Sequence, residues 1–291
     1  MTLWQHIELH ITQVRGEHFS LQNHQAVAGG SINSAQRISG HGQDYFVKTN
    51  HVSLSEMFVA EAKALKIMAK TKTLRVPEFI CHGHHDQHCY LVLEYLPLQG
   101  RADMLMFGQQ LAAMHRCSSN NYGWSCDNTI GLTPQINKPN TDWIDFWRQQ
   151  RLGYQLTLAA RNGYGGELQH LGERLLADFH VLFATYTPDI SMLHGDLWGG
   201  NFAALEQNEP VVFDPALYYG DRETDLAMTH LFGGFDARFY SAYNDAWPLD
   251  SGYKTRQELY NTYHILNHLN LFGGRYLAQA VHTIQRLLSE L

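Results

Sequence analysis

Hydrophobic and polar residues follow two different periodicities along this 291-residue chain, and the change between them falls near Pro97. Before it, from about residue 24, short apolar runs typical of β-strands surround one segment with the repeat of a helix. The strand-like runs are residues 27–40, 45–49 and 90–95, with a further strand at Ile80, and residues 55–70 carry the helical repeat. The pattern predicts a small β-rich region with one main helix.

Beyond Pro97 the pattern becomes mostly helical. Apolar residues recur at helical spacing in residues 104–116, 142–162, 167–185 and 264–291. Trp143, Phe146 and Trp147 form an aromatic face on the second of these segments, which favours a core position over a ligand site. The hinge is predicted at residues 97–102, which contain a Pro and a Gly. We therefore predict an α+β fold with two lobes: residues 1–96 form the small one and residues 97–291 the larger, mainly helical one.

The composition of the chain narrows the classes of protein to which it can belong. A formal net charge of −7 without a stripe of basic residues is not typical of proteins that bind nucleic acid or anionic membranes. No apolar segment approaches the roughly 20 residues that span a bilayer, and none at the N-terminus reads as a signal peptide. Four cysteines in a chain of this length favour reduced thiols. We expect a cytoplasmic enzyme without a membrane or nucleic-acid partner.

The most informative motif combines two carboxylates and an amide. Asp196 is followed by Asn201 five residues on and by Asp214 thirteen residues further, behind an apolar run. Phosphoryl transfer from ATP needs one carboxylate to accept the proton of the attacking hydroxyl, and an amide oxygen and a second carboxylate to hold magnesium ions. The first spacing equals that of the protein-kinase catalytic loop, and Asp214 stands where the Asp of the Asp-Phe-Gly motif would lie. The motif predicts a protein-kinase-like fold that uses ATP and Mg²⁺, with Asp196 as base and Asn201 and Asp214 as metal ligands.

A lysine in the small lobe fits the same chemistry. Lys48 ends a strand-like run, where its ammonium can reach the α- and β-phosphates of a nucleotide, and Glu61 lies in the predicted helix, where it can pair with Lys48. The alternative is a surface lysine and a solvated helix glutamate, the usual location of both residue types. The catalytic motif further along the chain favours the ion pair.

Two further segments are candidates for nucleotide contacts. Gly29, Gly30 and Ser31 lie between strand-like runs, where glycines let backbone N–H groups approach phosphate oxygens. A Gly-Gly turn is also common in ordinary hairpins. Residues Glu94 to Leu96 end the apolar strand before the hinge, where backbone groups would bind adenine.

Segments spread over almost the whole chain carry a resemblance to a known family. They are residues 29–33, 45–48, 61–62, 93–95, 130–135, 193–201, 214–227, 231–235 and 266–273. In these segments the chain resembles the fructosamine kinase (ketosamine 3-kinase) family, a branch of the protein-kinase-like fold related to aminoglycoside phosphotransferases. The resemblance implies Asp196 as base, Asn201 and Asp214 as metal ligands, and Lys48 with Glu61 as the pair that orients phosphate.

The resemblance also implies a reaction. Members of the family transfer the γ-phosphate of ATP to the C3 hydroxyl of a sugar that is attached through C1 to an amine. The phosphorylated adduct is unstable and releases the amine, which implies a role in deglycation repair. The acceptor is then a small or lysine-linked ketosamine.

Three residues near the motif have two interpretations each. Trp198 either offers its ring to the apolar face of the sugar or braces the catalytic loop as a core residue. Arg222 either contacts the substrate or pairs with Glu223 or Asp225. Asp225 itself is expected to be structural, either capping a helix or binding the backbone of the catalytic loop.

Other functions remain open at this point. Gly195 replaces the arginine that protein kinases use to read a phosphorylated loop, and only ten residues separate Asp214 from Asp225, so regulation by loop phosphorylation is not expected. His194 is expected to be structural. The alternatives are a phosphotransferase for another amino-bearing alcohol, such as an aminoglycoside or choline, and a kinase-like scaffold without catalysis. The second is disfavoured because all the predicted catalytic groups are present.

Residues 81–89 bring two cysteines and four histidines into nine positions. Zinc uses such ligands, but the spacing matches no Cys-x2-Cys pair. In the kinase interpretation this segment is an exposed hairpin turn between two strands.

Overall fold

The computed structural model describes residues 1–27 and 32–291. The chain divides into two compact units, one formed by Met1–Asp103 with Gly200–Pro215 and the other by Met104–Gly199 with Ala216–Leu291. The first unit thus runs beyond the predicted boundary at residue 96 and takes in a segment from the second half of the sequence.

The elements are given in chain order. The helices are α1 (Leu3–Arg15), α2 (Ser55–Thr71), α3 (Met104–His115), α4 (Trp143–Trp147), α5 (Gly153–Arg161), α6 (Glu167–Asp178), α7 (Glu223–Leu231), α8 (Ala237–Ala246), α9 (Tyr253–Phe272) and α10 (Leu277–Ser289). The strands are β1 (Asn23–Ala26), β2 (Ser34–Gly40), β3 (Gln43–His51), β4 (Phe79–His85), β5 (His88–Glu94), β6 (Asn128–Ile130), β7 (Thr133–Gln135), β8 (Ser191–Leu193), β9 (Phe202–Ala204), β10 (Pro210–Val212) and β11 (Tyr218–Gly220).

The first unit is built on a five-stranded antiparallel sheet in the order β1-β2-β3-β5-β4. Strand β5 is buried from Cys89 to Leu93, as expected for the apolar run that predicted it, and it pairs with β3 so that Lys48 faces Leu91 across the ladder. Helix α2 matches the predicted segment 55–70 closely. Burial of one face of this helix places Glu61 among its buried residues.

Helix α1 was not among the predicted elements. Thr2 and Gln5 form a capping box at its start, and Gly16, with φ of 72°, ends it. Its buried residues Ile7 and Ile11 pack into the same core as Val47 of β3. The small β-rich region therefore contains two long helices.

The segment Gly200–Pro215 belongs to the first unit because of backbone hydrogen bonds. It forms the hairpin β9–β10, with Val212 paired to Phe202. The amide of Val212 donates to the carbonyl of Arg75 (3.0 Å), and the amide of Gln99 donates to the carbonyl of Ala204 (2.9 Å). These bonds attach the residues around Asp214 to the unit that carries Lys48.

The second unit is mainly helical, as predicted, with its core around the aromatic face of α4. Trp143, Phe146 and Trp147 are buried there, which confirms that they are core residues. The predicted helix 142–162 runs from Trp143 to Arg161, with a π-helical segment, Arg148–Leu152, between α4 and α5. This segment buries Arg151, whose guanidinium lies 4.1 Å from the ring of Tyr218.

The predicted C-terminal helix 264–291 has different limits in the structure. Helix α9 begins earlier, at Tyr253, and ends at Phe272, because Gly273 adopts φ of 92°. Helix α10 follows at Leu277. Within the described residues, we find no helix with both the length and the apolar character needed to cross a bilayer.

Candidate active site

Lys48 forms a buried ion pair with Glu61 in the first unit. The Nζ atom of Lys48 lies 2.7 Å from Oε1 of Glu61, and the two side chains are only 5% and 9% exposed. Strand β3 carries the lysine and helix α2 the glutamate. The predicted ion pair is confirmed, and the alternative of two solvated surface side chains is wrong.

The same ammonium binds a second carboxylate. Nζ of Lys48 lies 2.5 Å from Oδ1 of Asp214, whose side chain is 44% exposed. Asp214 adopts φ of 60°, which few residues other than glycine tolerate. A strained backbone that aims a half-exposed carboxylate at a buried ammonium is typical of a functional position.

The electrostatics of these three groups follow from burial and charge. Burial alone would lower the pKa of Lys48, but the carboxylates of Asp214 and Glu61 outweigh it and raise that pKa above its ordinary value. Burial raises the pKa of Glu61, and the nearby charge of Asp214 adds to the effect, while the charge of Lys48 opposes it. The lysine is therefore a permanent cation held between two acids.

Asn201 lies beside Asp214 at one end of the β9–β10 hairpin. Its backbone carbonyl accepts a hydrogen bond from the amide of Phe213 (3.1 Å), and the residue is almost fully buried. This backbone bond brings together two segments of the chain whose residues Asn201 and Asp214 are thirteen positions apart in the sequence. Both belong to the unit that contains Lys48.

The other predicted nucleotide contacts are only partly described. The carboxylate of Glu94 is bound by the guanidinium of Arg75 at 2.5 and 2.7 Å and by the amide of Glu78 at 2.9 Å, so this side chain stabilises the end of β5. The carbonyl of Leu96 accepts a hydrogen bond from the amide of Leu98 (2.9 Å). Adenine binding by the backbone here stays a prediction.

Gly29, Gly30 and Ser31 lie outside the described residues, and their role in phosphate binding also stays a prediction. The chain on either side of them is well anchored. Val27 donates its amide to the carbonyl of Ala35 (2.9 Å). The side-chain amide of Asn50 donates to the carbonyl of Ile32 (3.0 Å).

In the second unit, Asp225 holds the backbone of the predicted catalytic loop, which carries Asp196. Its two carboxylate oxygens accept hydrogen bonds from the consecutive amides of His194 (2.7 Å) and Gly195 (2.8 Å). Burial would raise the pKa of Asp225, but hydrogen bonds from His115 and Gly195 lower it below its ordinary value. The structural role predicted for Asp225 is confirmed. It binds the loop and does not cap a helix, since α7 begins at Glu223.

Two further features fix the loop that presents Asp196. Gly195 has φ of 82°, and a Cβ at this position would lie 2.1 Å from the carbonyl oxygen of Ala216, so only glycine fits. His194 is fully buried, and its Nδ1 accepts a hydrogen bond from the amide of Asp196 (3.3 Å). His194 is thus the structural residue that the sequence predicted. Asp196 is a half-buried residue of the second unit.

Trp198 is not a core residue. It is 38% exposed, and its ring centroid lies 5.9 Å from that of Phe232, which in turn lies 4.8 Å from the ring of His268. The contacts continue from His268 to Phe272 and Tyr276. We call these five side chains the aromatic surface. Sequence reasoning identified only Trp198 in it, although Phe232, His268 and Phe272 lie within the segments that resemble the known family.

Arg222 is buried and binds backbone oxygens. Its guanidinium donates to the carbonyls of Trp247 (2.9 Å) and Pro248 (2.6 Å) and lies 4.1 Å from the ring of Trp247. It does not pair with Glu223 as considered above, because Glu223 binds Arg256 at 2.8 and 3.0 Å. These contacts favour a structural role, and substrate contact by Arg222 stays a prediction.

The segment 81–89 lies in the β4–β5 hairpin, but only Asp86 and Gln87 form its turn. The prediction of an exposed turn over the whole segment is therefore wrong, because Cys81 and Cys89 are strand residues. Cys81 and Cys89 are both buried, and none of the four cysteines forms a disulfide in the described chain. In the part of the chain that the structure describes, no three side chains of His, Cys, Asp or Glu are grouped as a metal site.

The sequence of this chain is similar to those of known proteins over almost its whole length. Residues 3–290 match the fructosamine kinase family. A protein named probable ketoamine kinase from Synechocystis sp. is 46% identical over 288 residues, which cover 98% of this chain and 97% of that protein. The chloroplastic protein-ribulosamine 3-kinase of Arabidopsis thaliana is 41% identical over 268 residues, which cover 90% of this chain and 82% of that protein.

Solved structures with a similar fold include one of similar sequence and one of low sequence identity. The crystal structure of a protein from Haemophilus somnus 129PT, assigned as a fructosamine-3-kinase, is 30% identical, with a TM-score of 0.90 over 98% of this chain and 97% of that one. A thermostable aminoglycoside phosphotransferase APH(4)-Ia has a TM-score of 0.63 at 14% identity, over 97% of this chain and 98% of its own. The latter likeness is one of fold alone. The α+β, protein-kinase-like fold predicted from the sequence is confirmed.

Proposed function

Because the chain belongs to the fructosamine kinase family, we propose that it transfers the γ-phosphate of ATP to the C3 hydroxyl of a ketosamine. The observation that carries this proposal is the cluster of Lys48, Glu61 and Asp214, which are in contact in the first unit. The relatives named ketoamine kinase and protein-ribulosamine 3-kinase support the acceptor class. The protein is therefore an ATP-dependent kinase that acts on sugar–amine adducts.

Lys48 is the proposed partner of the α- and β-phosphates. A buried lysine that stays charged supplies a fixed positive charge where water is scarce, and such a charge stabilises phosphate more strongly than one in bulk water. Glu61 holds the ammonium from the side of α2 and limits its freedom. The pair is thus arranged before the nucleotide binds.

Asn201 and Asp214 are the proposed ligands of Mg²⁺. Magnesium prefers hard oxygen ligands and is usually held by one or two carboxylates together with substrate phosphates, not by a cage of protein side chains. An amide oxygen and a half-exposed carboxylate on one hairpin fit that pattern. When bound, the ion would neutralise charge on the β- and γ-phosphates.

Asp196 is the proposed general base. The C3 hydroxyl gives its proton to the carboxylate of Asp196 while its oxygen forms a bond to the γ-phosphorus, and the bond from that phosphorus to the bridging oxygen of ADP breaks. The hydrogen bonds of Asp225 to the amides of His194 and Gly195 fix the backbone directly before Asp196. Such positioning is the main protein contribution to phosphoryl transfer.

The aromatic surface is the proposed contact for the sugar and its amine. Trp198 stands two residues after Asp196 and exposes its ring. An exposed aromatic ring packs against the apolar face of a sugar, and it attracts a protonated amine by a cation–π interaction. This proposal includes Trp198 and leaves Arg222 as a buried structural residue.

The rival function is phosphorylation of another amino-bearing alcohol. Aminoglycoside phosphotransferases share the fold at low identity, so the fold does not separate the two. The family match over residues 3–290 favours the ketosamine. The cytoplasmic location and the deglycation role predicted from the sequence stay predictions.

A substrate panel tests the proposal. ADP formation is measured with ribulosyl-lysine, fructosyl-lysine, an aminoglycoside and choline, and the product is assigned by proton–phosphorus NMR correlation. We expect turnover of at least one ketosyl-lysine, with the phosphate on C3. Turnover of the aminoglycoside or choline alone would favour the rival function, and turnover of none would favour the scaffold without catalysis.

A further inference from the structure

A continuous series of buried side chains leads from Arg222 to the catalytic loop. The guanidinium of Arg222 lies 3.3 Å from the hydroxyl of Tyr243, and that hydroxyl lies 2.8 Å from Nδ1 of His115. Nε2 of His115 lies 3.1 Å from Oδ2 of Asp225, and Asp225 binds the loop amides as described above. All four side chains are buried and belong to the second unit. We call them the positioning chain.

With a neutral ring of His115, the two ends of this chain fix the direction of every hydrogen bond in it. An arginine only donates, and an ionised aspartate only accepts. The hydroxyl oxygen of Tyr243 therefore accepts from Arg222, and its O–H donates to Nδ1 of His115. The ring of His115 then carries its proton on Nε2 and donates it to Asp225. One tautomer of His115 satisfies all the partners at once.

His115 gives the carboxylate of Asp225 a third hydrogen-bond donor, in addition to the two loop amides. Rotation of an aspartate carboxylate about its terminal bond is broad and nearly two-fold, and the two loop amides each use one oxygen. A third donor, from a fixed ring, restrains the rotation of the carboxylate further. The other end is equally fixed, because the guanidinium of Arg222 is held by the carbonyls of Trp247 and Pro248.

We propose that His115 and Tyr243 are positioning residues for phosphoryl transfer, which act by orienting Asp225 and through it the loop that carries Asp196. This proposal rests on the proposed kinase function. His115 stands 110 positions from Asp225 and 128 positions from Tyr243 in the sequence, and neither His115 nor Tyr243 belongs to the predicted catalytic motif. Their loss displaces the base and leaves the groups of the first unit unchanged.

Kinetics of matched variants test the proposal. Tyr243→Phe keeps the ring and removes the hydroxyl, and we expect kcat to fall roughly 10- to 100-fold, as small misplacements of catalytic groups do, with KM for ATP within about twofold. His115→Gln places an amide N–H near the position of Nε2 and should retain most of kcat, whereas His115→Asn cannot reach Asp225 and should not. Tyr253→Phe is the control, because the buried hydroxyl of Tyr253 has no hydrogen-bond partner in the described chain.

Two kinetic outcomes would overturn the proposal. One is equal kcat for Tyr243→Phe and Tyr253→Phe. The other is equal kcat for His115→Gln and His115→Asn, since a purely steric role would not separate them. Thermal melts of each variant show whether a loss of kcat merely follows a loss of fold.

A spectroscopic measurement decides the hydrogen-bond order without relying on catalysis. In protein labelled with ¹⁵N-histidine, the resonances that disappear in His115→Gln identify His115. We expect the pattern of a ring protonated on Nε2 in the wild type and a mixture of tautomers in Tyr243→Phe. A ring protonated on Nδ1 in the wild type would overturn the proposal, even if the substrate panel had also failed.

Discussion

Lys48 and Asp214 are 166 residues apart in the sequence, and the Nζ and Oδ1 atoms of their side chains lie 2.5 Å apart. The β9–β10 hairpin makes this contact possible, because its hydrogen bonds to Arg75 and Gln99 attach the segment around Asp214 to the first unit. Glu61 binds the same ammonium from the opposite element. The unit that contains the predicted phosphate contact therefore also contains both predicted metal ligands.

Replacing Lys48 by alanine should impair both nucleotide binding and turnover. We expect a higher KM for ATP and a lower kcat, with kcat/KM reduced by roughly two to three orders of magnitude, because the fixed charge that meets the phosphates is removed. Lys63→Ala on the exposed face of α2 is the matched control. Steady-state kinetics with unchanged KM and kcat would remove Lys48 from the site.

The proposed metal ligands predict a dependence on magnesium. Activity should vanish in EDTA and return with excess Mg²⁺. Asp214→Asn should raise the Mg²⁺ concentration needed for half-maximal activity by roughly tenfold or more, because a charged ligand is replaced by a neutral one. A titration of activity against Mg²⁺ measures this shift, and identical curves for the variant and the wild type would contradict the assignment.

Because His264 is buried, we expect acid to destabilise the fold. Burial, with a smaller contribution from His268, lowers the pKa of His264 to about 3. The unfolded chain binds this proton near pH 6.5 and the folded chain only near pH 3, so the stability that neutral His264 provides is complete above 6.5 and is lost as pH falls toward 3. The slope is about 1.4 kcal/mol per pH unit at most.

Denaturant unfolding between pH 7 and pH 4 measures this contribution. The free energy of unfolding of His264→Gln should fall less steeply with acid than that of the wild type. His282→Gln changes an exposed histidine of α10 and should leave the slope unchanged. Parallel curves for all three proteins would show that His264 does not carry the effect.

The buried pair of Arg256 and Glu223 predicts a stability effect with the opposite pH trend. Burial raises the pKa of Glu223 to about 7, so the stability linked to its protonation is present at low pH and is lost as pH rises from about 4.5 toward 7. Arg256→Met leaves the carboxylate without its guanidinium and should cost about 3–5 kcal/mol near neutral pH. The loss should be smaller at pH 5, where Glu223 takes up a proton.

An exposed ion pair serves as the control for this prediction. Arg286 binds Glu258 at the surface, and Arg286→Met should cost about 0–1 kcal/mol. Equal losses of unfolding free energy for the two variants would contradict the claim that burial sets the difference.

The parts of the fold and site that could be predicted from sequence were those with local patterns. The apolar run of β5 and the helical repeat of α2 predicted their elements. The spacing of Asp196, Asn201 and Asp214 predicts a catalytic motif, and their roles stay predictions. Helix α1 has the same kind of repeat, with Ile7 and Ile11 on one face. The sequence of α1 therefore carries enough local pattern to predict this helix.

Contacts over long sequence distances could not be predicted from local patterns. Nothing near His115 in the sequence indicates Tyr243 or Asp225 as partners, since the three residues lie on α3, α8 and α7. The segment Gly200–Pro215 belongs to the first unit through backbone hydrogen bonds. No side-chain pattern in the sequence predicts such bonds. The aromatic surface likewise joins residues from the catalytic loop, α9 and the segments that follow α7 and α9.

The proposed function depends on Asp196 as the base for a ketosamine hydroxyl. The direct test is the rate at which wild-type protein and Asp196→Asn form the 3-phosphate of ribulosyl-lysine from ATP, with nucleotide affinity measured in parallel. We predict formation of the 3-phosphate by the wild type, and for the variant a rate lower by roughly three orders of magnitude or more with nucleotide affinity retained. A near-normal rate in Asp196→Asn, or a product without phosphate on C3, would contradict the account.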